Sequence, residues 1–251
     1  MTRDFTPDLQ KIRLFFTQPH GCSYLPDRYA TTAFVDPASH ISPELYSQLN
    51  RLGFRRSGRY YYQPRCHACT ACIPARIPTE DFAPNRQQRR CVRANGDIQI
   101  ELRSEVDSTE HYPLYHQYIT ERHEDGDMFP PTREQYLDFL GNGISTTRFL
   151  EFRSGDKLIG CSVMDLLDDG FSAIYTYFDP AESRRSLGTL AVLTLVEKAR
   201  AGGLPYVYLG FWIQNCAKMA YKNRFQPLEL LISGRWVKGP RPQKSPASSR
   251  P

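Results

Sequence analysis

The alternation of hydrophobic and polar positions is clearest in the second half of the chain. Three runs rich in aromatic and β-branched residues are separated by the turns Ser-Gly-Asp and Asp-Asp-Gly, a pattern that predicts antiparallel strands joined by hairpins. The predicted elements here are helices from residue 109 and over 132–140, strands at 147–153, 157–167 and 171–178, a helix at 183–201 capped by Ser183, a strand at 204–213, a short helix at 214–225 and a strand at 228–237.

The first half has a weaker pattern, broken by glycine and proline. The predicted elements are strands at 11–17 and 31–35, a helix at 42–51 that ends at Gly53, one strand at 54–63, a helix that begins after Asp81 and reaches residue 93, and a strand at 98–102. Pro113 limits where the helix near residue 109 can begin. The Pro/Ser-rich basic tail at 238–251 is predicted to be disordered.

The strand–helix–strand–helix order of residues 171–225 is typical of the acyl-transfer half of a GNAT-type N-acyltransferase. A helix N-terminus offers unpaired N–H groups to an anion, and Arg184 and Arg185 add charge there. Two parallel strands that part near their ends leave backbone amides free to face a reacting carbonyl. We therefore predict an α+β protein with a GNAT-like domain, a mixed central sheet with flanking helices, preceded by a smaller Cys/Arg-rich α+β domain. The bounds of these domains, 106–237 and 1–105, are those implied by the family resemblance given below.

Composition describes an ordinary globular protein. The 251 residues are 40% hydrophobic and 24% charged, and no run of about 18 apolar residues predicts a membrane span. The first residues lack the apolar core of a signal peptide, so a cytoplasmic location is expected. Seven cysteines without an export signal indicate reduced thiols or metal ligands rather than disulfides.

Positive charge is concentrated between residues 51 and 93, which hold many arginines, no lysine and only Glu80 and Asp81. Arginine pairs with phosphate through two nitrogens and stacks on bases, and the interleaved aromatic residues are typical of RNA contacts. The segment therefore predicts a nucleic-acid partner. Its candidate binding residues are Arg55, Arg56, Arg59, Arg65, Arg86, Arg89 and Arg90.

Three cysteines stand at C-x-x-C-x-x-C spacing, and two hypotheses remain open for them. Thiolates three residues apart can share a tetrahedral metal, so Cys66, Cys69 and Cys72 are candidate ligands of zinc or an iron–sulfur cluster, with Cys22 as a fourth. Alternatively, small apolar cysteines simply fill a loop-rich core. No second complete C-x-x-C pair exists to decide between them.

The chain resembles the aminoacyl-tRNA–protein transferases, and its compact length most resembles the bacterial aspartate/glutamate leucyltransferase branch. The matching stretches are HGCSYL at 20–25, GFRRSGRYYYQPRCHACTACIPARI at 53–77, YTYFDP at 175–180, SLG at 186–188 and YLGFWIQNCAKM at 208–219. The resemblance implies transfer of leucine from leucyl-tRNA to proteins that begin with Asp or Glu, which creates a degradation signal. Leu25 and Ala71 depart from the cysteine pattern of the arginyltransferases, which weakens any transfer of their metal or redox function.

The implied reaction needs no added cofactor because an aminoacyl ester is already activated. Side chains expected near the reacting carbonyl are Asp179, Tyr177, Gln214 and Tyr221, although Asp179 can equally begin the turn before Pro180. The acidic acceptor residue requires a pocket of cations or donors. Its candidate residues are Lys218, Lys222, Arg184, Arg185 and His123.

Three other functions are open at this point. An arginyl-tRNA–protein transferase of the same family would differ only in its donor. A coenzyme A-dependent N-acetyltransferase would share the fold, but the run Arg185-Ser-Leu-Gly-Thr-Leu190 has only one of the two small residues usual in a coenzyme A loop. A non-catalytic RNA-binding protein with a zinc knuckle would bind metal and RNA without acyl transfer. The oligomeric state is not predicted.

Overall fold

The computed structural model describes Leu9 and residues 11–241. In that part of the chain the strands are β1 (Leu14–Phe16), β2 (His20–Gly21), β3 (Tyr29–Ala30), β4 (Thr32–Val35), β5 (Arg55–Ser57), β6 (Tyr60–Pro64), β7 (Ile73–Pro78), β8 (Gln99–Arg103), β9 (Thr147–Ser154), β10 (Lys157–Leu167), β11 (Gly170–Phe178), β12 (Tyr206–Trp212), β13 (Glu229–Ile232) and β14 (Arg235–Lys238). The disorder predicted for 238–251 falls mostly on residues 242–251, outside the described residues.

The helices flank these strands, and most lie near their predicted positions. They are α1 (Pro43–Arg51), α2 (Arg86–Ala94), α3 (Ser108–Arg122), α4 (Arg133–Tyr136, continued by a π-turn at Leu137–Gly141), α5 (Leu187–Ala201) and α6 (Ala217–Ala220), with 3-10 turns at Pro180–Arg185 and Tyr221–Arg224. Of the helices within the described residues, none has the length and apolar character that crossing a membrane requires.

An eight-stranded mixed sheet forms the centre of the molecule, so the α+β class is confirmed. Its strand order is β14-β13-β7-β12-β11-β10-β9-β8. The predicted hairpins between β9, β10 and β11 are present, and every adjacent pair is antiparallel except β11 with β12. A smaller sheet of order β1-β4-β6-β5 and the short pair β2-β3 complete the strands.

The parallel strands β11 and β12 separate soon after they meet. They pair only where Gly170–Ser172 faces Tyr206–Tyr208, and no further pairing continues along them. On its other side β12 slips in register against β7 between Tyr208 and Gly210, and Gly210 has a φ of 76°. That left-handed conformation suits glycine, which has no Cβ to clash. We call the gap between the diverging strands the fork.

Strand β7 was missed by the sequence prediction. It contains Pro74 and Pro78, and proline is usually confined to strand edges because it cannot donate to a ladder. Here β7 nevertheless runs between β12 and β13. Together with β8 it extends the large sheet, although both strands precede residue 105. The expected domain boundary near residue 105 is therefore not a boundary between sheets.

Three predicted elements differ from the structure because a left-handed residue interrupts them. The single strand expected at 54–63 is the β5–β6 hairpin, which turns at Gly58 (φ 56°). The last strand is also a hairpin, β13–β14, with Ser233 and Gly234 at positive φ. The helix predicted from Ser183 is instead a 3-10 turn followed by α5, and Ser186 (φ 57°) lies at the junction.

Helices cover both faces of the large sheet. Along β9, Leu150 and Phe152 belong to the core that includes α5, whereas Phe149 belongs to the core built with α3 and α4. This alternation follows from the two-residue period of a strand. The smaller sheet and α1 form a third core around Tyr46, Leu49 and Tyr208. The fork therefore opens inside a sheet whose surroundings are firmly packed.

Candidate active site

Two buried cationic side chains occupy the fork. Arg55 is 7% exposed, and its Nη2 donates to the carbonyl of Ala173, the residue of β11 next to the last one that pairs with β12. Lys222 is 5% exposed, and its Nζ donates to the carbonyl of Phe211 on β12. Burial, followed by the nearby charge of Arg55, lowers the pKa of Lys222 to about 7. The two diverging strands thus each have a carbonyl bound by a cation.

A second group of predicted residues lies on the surface at the ends of α3 and α6. Lys218 Nζ contacts both carboxylate oxygens of Asp125 at 2.8 Å, and both side chains are exposed. His123 caps α3 and its Nε2 lies 3.1 Å from the hydroxyl of Tyr118. Burial and then Lys218 lower the pKa of His123. The structure therefore places Lys218 and His123 close to one another.

Tyr221 connects this surface to the fork. It is 41% exposed, and the ammonium of its neighbour Lys222 lies 5.8 Å from its ring centroid. Gln214 is also exposed, in the turn that follows β12. Of the residues predicted near the reacting carbonyl, Tyr221 and Gln214 are thus accessible at the end of β12.

The loop after β2 packs over the same region. Ser23 Oγ donates to Asp127 at 2.7 Å, which ties this loop to the segment that follows α3. Burial raises the pKa of Tyr24, and the neighbouring Tyr62, Cys72 and Cys216 raise it further. Tyr62 in turn lies near Arg55, since the guanidinium partly opposes the rise in the pKa of Tyr62 that burial causes. The conspicuous HGCSYL stretch therefore lies beside the fork.

Asp179 and Tyr177 make contacts in the interior instead. Asp179 is 4% exposed, accepts from the N–H of Ala181 at 3.0 Å and contacts Lys157 Nζ at 2.7 Å. Burial tends to raise its pKa, but these two partners outweigh that effect and lower it. Tyr177 is fully buried, with its hydroxyl 2.7 Å from His111 Nδ1. The contacts of Asp179 are therefore those of a residue that begins the turn before Pro180.

The arginines of residues 51–93 fall into two groups. Arg55 and Arg56 are buried, and Arg56 binds Asp165 at 2.6 and 2.8 Å, so neither guanidinium lies on the exposed surface of the protein. Both are corrections to the predicted RNA-binding set, and the reason is the burial of β5. The remaining members, Arg59, Arg65, Arg86, Arg89 and Arg90, are exposed.

Helix α2 carries the densest exposed charge. Arg86, Arg89, Arg90 and Arg93 all face solvent, and within the described residues none of them forms a salt bridge. The first turn is stabilised by Asn85 and Gln88 in a capping box. The result is a rigid helix whose outer face is a row of unpaired cations, which we call the arginine helix.

The arginine helix lies directly against the C-terminal half of the chain. Asn95, which follows it, donates to the carbonyl of Arg185 at 2.9 Å, and Gln88 donates to the carbonyl of Arg224 at 3.1 Å. Arg184 and Arg224 are themselves exposed, whereas Arg185 pairs with Asp97 and Glu182. Positive charge therefore continues from the arginine helix to the 3-10 turn that carries Lys222.

The four candidate metal ligands are near one another but do not converge. Burial, followed by the proximity of Cys22, Cys66 and Cys69, raises the pKa of the Cys72 thiol to about 12. All four are free thiols and half-buried. Even so, among the described residues no three Cys, His, Asp or Glu side chains are arranged to hold a metal ion. The placement of these thiols does not fit a metal centre.

Sequence reasoning missed several residues of this region. Arg55 was predicted to bind RNA, and neither Tyr24 nor Tyr62 was singled out as a neighbour of the site. The only pattern that could have indicated them is the dense mixture of arginine and tyrosine at 55–62. Composition gives no means of telling a buried arginine from an exposed one, because that depends on the sheet packed against it.

The comparisons with known proteins agree with this geometry. Two family models, described as the N terminus and the C terminus of arginine-tRNA-protein transferase, match residues 20–90 and 110–232. An aspartate/glutamate leucyltransferase of Marinobacter nauticus is 53% identical over 229 residues, which are 91% of this chain and 97% of that protein. The chain belongs to the aspartate/glutamate leucyltransferase family.

Other proteins of this family are almost as similar to this chain. The aspartate/glutamate leucyltransferase of Saccharophagus degradans is 51% identical and covers 92% of this chain and 98% of its own length. A solved C-terminal domain of a putative lysylphosphatidylglycerol synthetase from Agrobacterium fabrum covers 72% of this chain and 55% of its own, at 14% identity and a TM-score of 0.44. That likeness is too distant to bear on fold or function.

Proposed function

We propose that this protein transfers leucine from leucyl-tRNA to the N-terminal Asp or Glu of acceptor proteins and so creates a degradation signal. The observation that carries the proposal is the junction of the arginine helix with the fork. The row of exposed arginines meets the turn that follows β11 and the turn that carries Lys222, through the contacts of Asn95 with Arg185 and of Gln88 with Arg224. The family membership, which extends over nearly the whole chain, supports the same reaction.

The fork supports a GNAT-like acyl transfer. In such an arrangement two parallel strands part beside a helix N-terminus, as β11 and β12 do next to α5. Backbone groups freed by the parting can bind the carbonyl oxygen as it becomes an oxyanion. Tyr221 and Gln214 stand at the exposed end of β12 and are the proposed polar contacts to the reacting group. Tyr177 and Asp179 support the fork from the interior.

The chemistry of the transfer is the aminolysis of an ester. The uncharged α-amine of the acceptor attacks the carbonyl carbon of the leucyl ester and forms a C–N bond, the ester C–O bond then breaks, and the ribose hydroxyl leaves with the proton that the amine gives up. An α-amine with a pKa of about 7.7–8.0 is partly uncharged near neutrality. Orientation of the amine and stabilisation of the oxyanion are therefore the main requirements.

Several further features belong to this proposal. The ester is already activated, so the reaction requires no cofactor, and we assign the four half-buried cysteines to packing beside the fork. We propose a cytoplasmic location, where charged tRNA is found. Arg86, Arg89, Arg90 and Arg93 on the arginine helix, with Arg59 and Arg65, are the proposed contacts to tRNA phosphates. Lys218, His123, Arg184 and Arg185 are proposed to border the path of the acceptor.

A transfer assay with defined donors and acceptors tests this function. The purified protein is incubated with radiolabelled leucyl-tRNA and matched acceptor proteins that begin with Asp, Glu, Asn, Gln or Ala. We expect acid-stable label on the Asp and Glu acceptors and none on the Ala acceptor. Arginyl-tRNA and acetyl-coenzyme A serve as alternative donors in parallel reactions.

The parallel reactions with different donors distinguish the competing functions. Transfer from arginyl-tRNA and not from leucyl-tRNA would make the protein an arginyltransferase and contradict the donor. Acetylation of the acceptors would indicate a coenzyme A-dependent enzyme. Binding of tRNA with stoichiometric zinc and no transfer from any donor would indicate a non-catalytic RNA-binding protein.

A further inference from the structure

Arg55 and Lys222 share an unusual property: they are two buried cations without a counter-ion. Among the described residues neither forms a salt bridge, whereas the adjacent Arg56 is paired with Asp165. Arg55 Nη1 is fully buried and has no hydrogen-bond partner among Leu9 and residues 11–241. Charged groups are almost never fully buried unless they are paired, because an unpaired buried charge costs several kcal/mol.

The hydrogen bonds of Arg55 and Lys222 do not explain why two charges are buried in spite of this free-energy cost. Arg55 and Lys222 donate to the carbonyls of Ala173 and Phe211, which lie beyond the last pair of β11 with β12. A neutral amide side chain could satisfy a carbonyl equally well. Hydrogen bonding to these carbonyls therefore explains the donors but not the positive charges.

The two cations also repel each other. Burial is the main cause of the lowered pKa of Lys222, and the charge of Arg55 is the next. The groups with an opposing effect on this pKa are the thiols Cys216 and Cys72, and no carboxyl group of the described residues contributes. An anion placed between the two side chains would remove this repulsion and supply the missing partner of Arg55 Nη1. The geometry of the pair thus matches an anionic ligand.

The position of the pair selects one kind of anion. The fork is a gap between two strands, and Gly210 contributes no side chain on the β12 side, where a Cβ would lie 3.4 Å from Arg55 Nε. A carboxylate on a short methylene stem can enter such a gap. A phosphate within an RNA backbone is flanked by sugars on both sides and suits the open surface of the arginine helix better.

We propose that Arg55 and Lys222 bind the side-chain carboxylate of the acceptor's N-terminal Asp or Glu and so determine acceptor specificity. This inference rests on the proposed function. Arg55 contributes the free Nη1–H and Lys222 its ammonium, and charge-assisted bonds of this kind are stronger than those between neutral groups. The exposed Tyr221 next to Lys222 marks the side from which the peptide enters. An acceptor that begins with Asn or Gln has the right shape but lacks the charge.

The test compares isosteric acceptors in variants that keep the hydrogen bonds of the fork. Arg55→Gln and Lys222→Gln remove one charge each and leave an amide donor for Ala173 or Phe211. We expect each variant to lower kcat/KM for the Asp acceptor by about 30-fold or more, mainly through a higher acceptor KM. The Asp-over-Asn preference should fall by the same factor, and the KM for leucyl-tRNA should not change. Arg235→Gln and Lys238→Gln, which remove exposed charges on β14, are the matched controls.

Each other outcome has a definite meaning. An equal loss with Asp and Asn acceptors would overturn the proposal and assign the pair to the oxyanion or to structure. A large change in the KM for leucyl-tRNA would overturn it in favour of the donor. If the glutamine variants do not fold, competition with the unmodified protein decides: the dipeptide amide Asp-Ala should inhibit transfer far more strongly than Asn-Ala, and equal inhibition would overturn the inference.

Failure of the proposed function gives a different result. A wild-type protein that transfers no leucine to any acceptor would contradict the function itself. The affinity for Asp-Ala amide, measured by calorimetry, could then still be compared between the wild type and Lys222→Gln. The other case is that the wild type transfers leucine and both glutamine variants keep its Asp-over-Asn preference. That result would contradict only the specificity pocket.

Discussion

His111 lies in the interior with both ring nitrogens hydrogen bonded. Its Nε2 lies 3.0 Å from Glu151, which also accepts from Arg153, and its Nδ1 lies 2.7 Å from the hydroxyl of Tyr177. The Glu151 carboxylate can only accept, so Nε2 carries the proton and Nδ1 accepts from Tyr177. Tyr177 accepts in turn from Tyr136 at 3.2 Å. Each donor in the network has an acceptor when His111 is neutral.

This network predicts a loss of stability in mild acid. Burial lowers the pKa of His111 below its ordinary value, and this effect outweighs the opposite one of Glu151. Below a pH of about 6.5 the unfolded chain therefore binds a proton that the folded protein does not, and the free energy of unfolding falls as the pH falls. Urea denaturation between pH 5 and 8 measures the slope of the free energy of unfolding against pH. This slope should be shallower in His111→Gln than in the wild type. An identical slope in the two proteins would contradict this account.

The arginine helix is the element proposed to bind tRNA, and it places a row of exposed cations on one face of the molecule. Within the part of the chain that the structure describes, none of its four exposed arginines forms a salt bridge, in contrast to Arg185, which pairs with two carboxylates. Each arginine that binds a phosphate releases a counter-ion, so the affinity for RNA depends on salt concentration. The salt dependence of RNA affinity therefore distinguishes the arginine helix from the fork.

Charge removal on this helix should weaken tRNA binding alone. In Arg86→Gln/Arg90→Gln the dissociation constant for tRNA should rise, and the slope of log affinity against log salt should become shallower by about 1 for each arginine. Filter binding at several salt concentrations measures the slope, and Arg235→Gln is the control for loss of exposed charge. The KM for the acceptor should remain as in the wild type. An unchanged slope would show that tRNA binds on another face.

Sequence patterns predicted elements well where local composition determines them. The hairpins of β9, β10 and β11 follow from β-branched and aromatic runs separated by glycine turns, and they were confirmed. β7 was missed because Pro74 and Pro78 argue against a strand unless its partners are known. Arg55 was predicted to bind RNA, and its burial could not be predicted for a similar reason. Whether an arginine is buried depends on residues more than 100 positions away, here Ala173.

At the scale of the whole molecule, β7 makes the large sheet depend on the N-terminal segment. It pairs with β12 at six positions and with β13 at two, and its Ala75 and Ile77 are buried in the core beside α5. The two family models match residues 20–90 and 110–232, and the large sheet takes strands from both matched stretches. The pair of basic side chains in the fork also requires both halves, since Arg55 comes from one and Lys222 from the other.

Residues 106–251 produced alone should consequently fail to fold. Without β7 the buried strands β12 and β13 lose their common neighbour, and apolar side chains such as Phe211, Leu230 and Trp212 become exposed to water. We expect the fragment to show no cooperative transition in urea and to aggregate, whereas co-expression with residues 1–105 should restore both a sharp transition and leucine transfer. A fragment that unfolds cooperatively by itself would show that the sheet is complete without β7. It would also make residues 106–251 an independent domain, with the two basic side chains of the fork then brought together only by docking of the N-terminal segment.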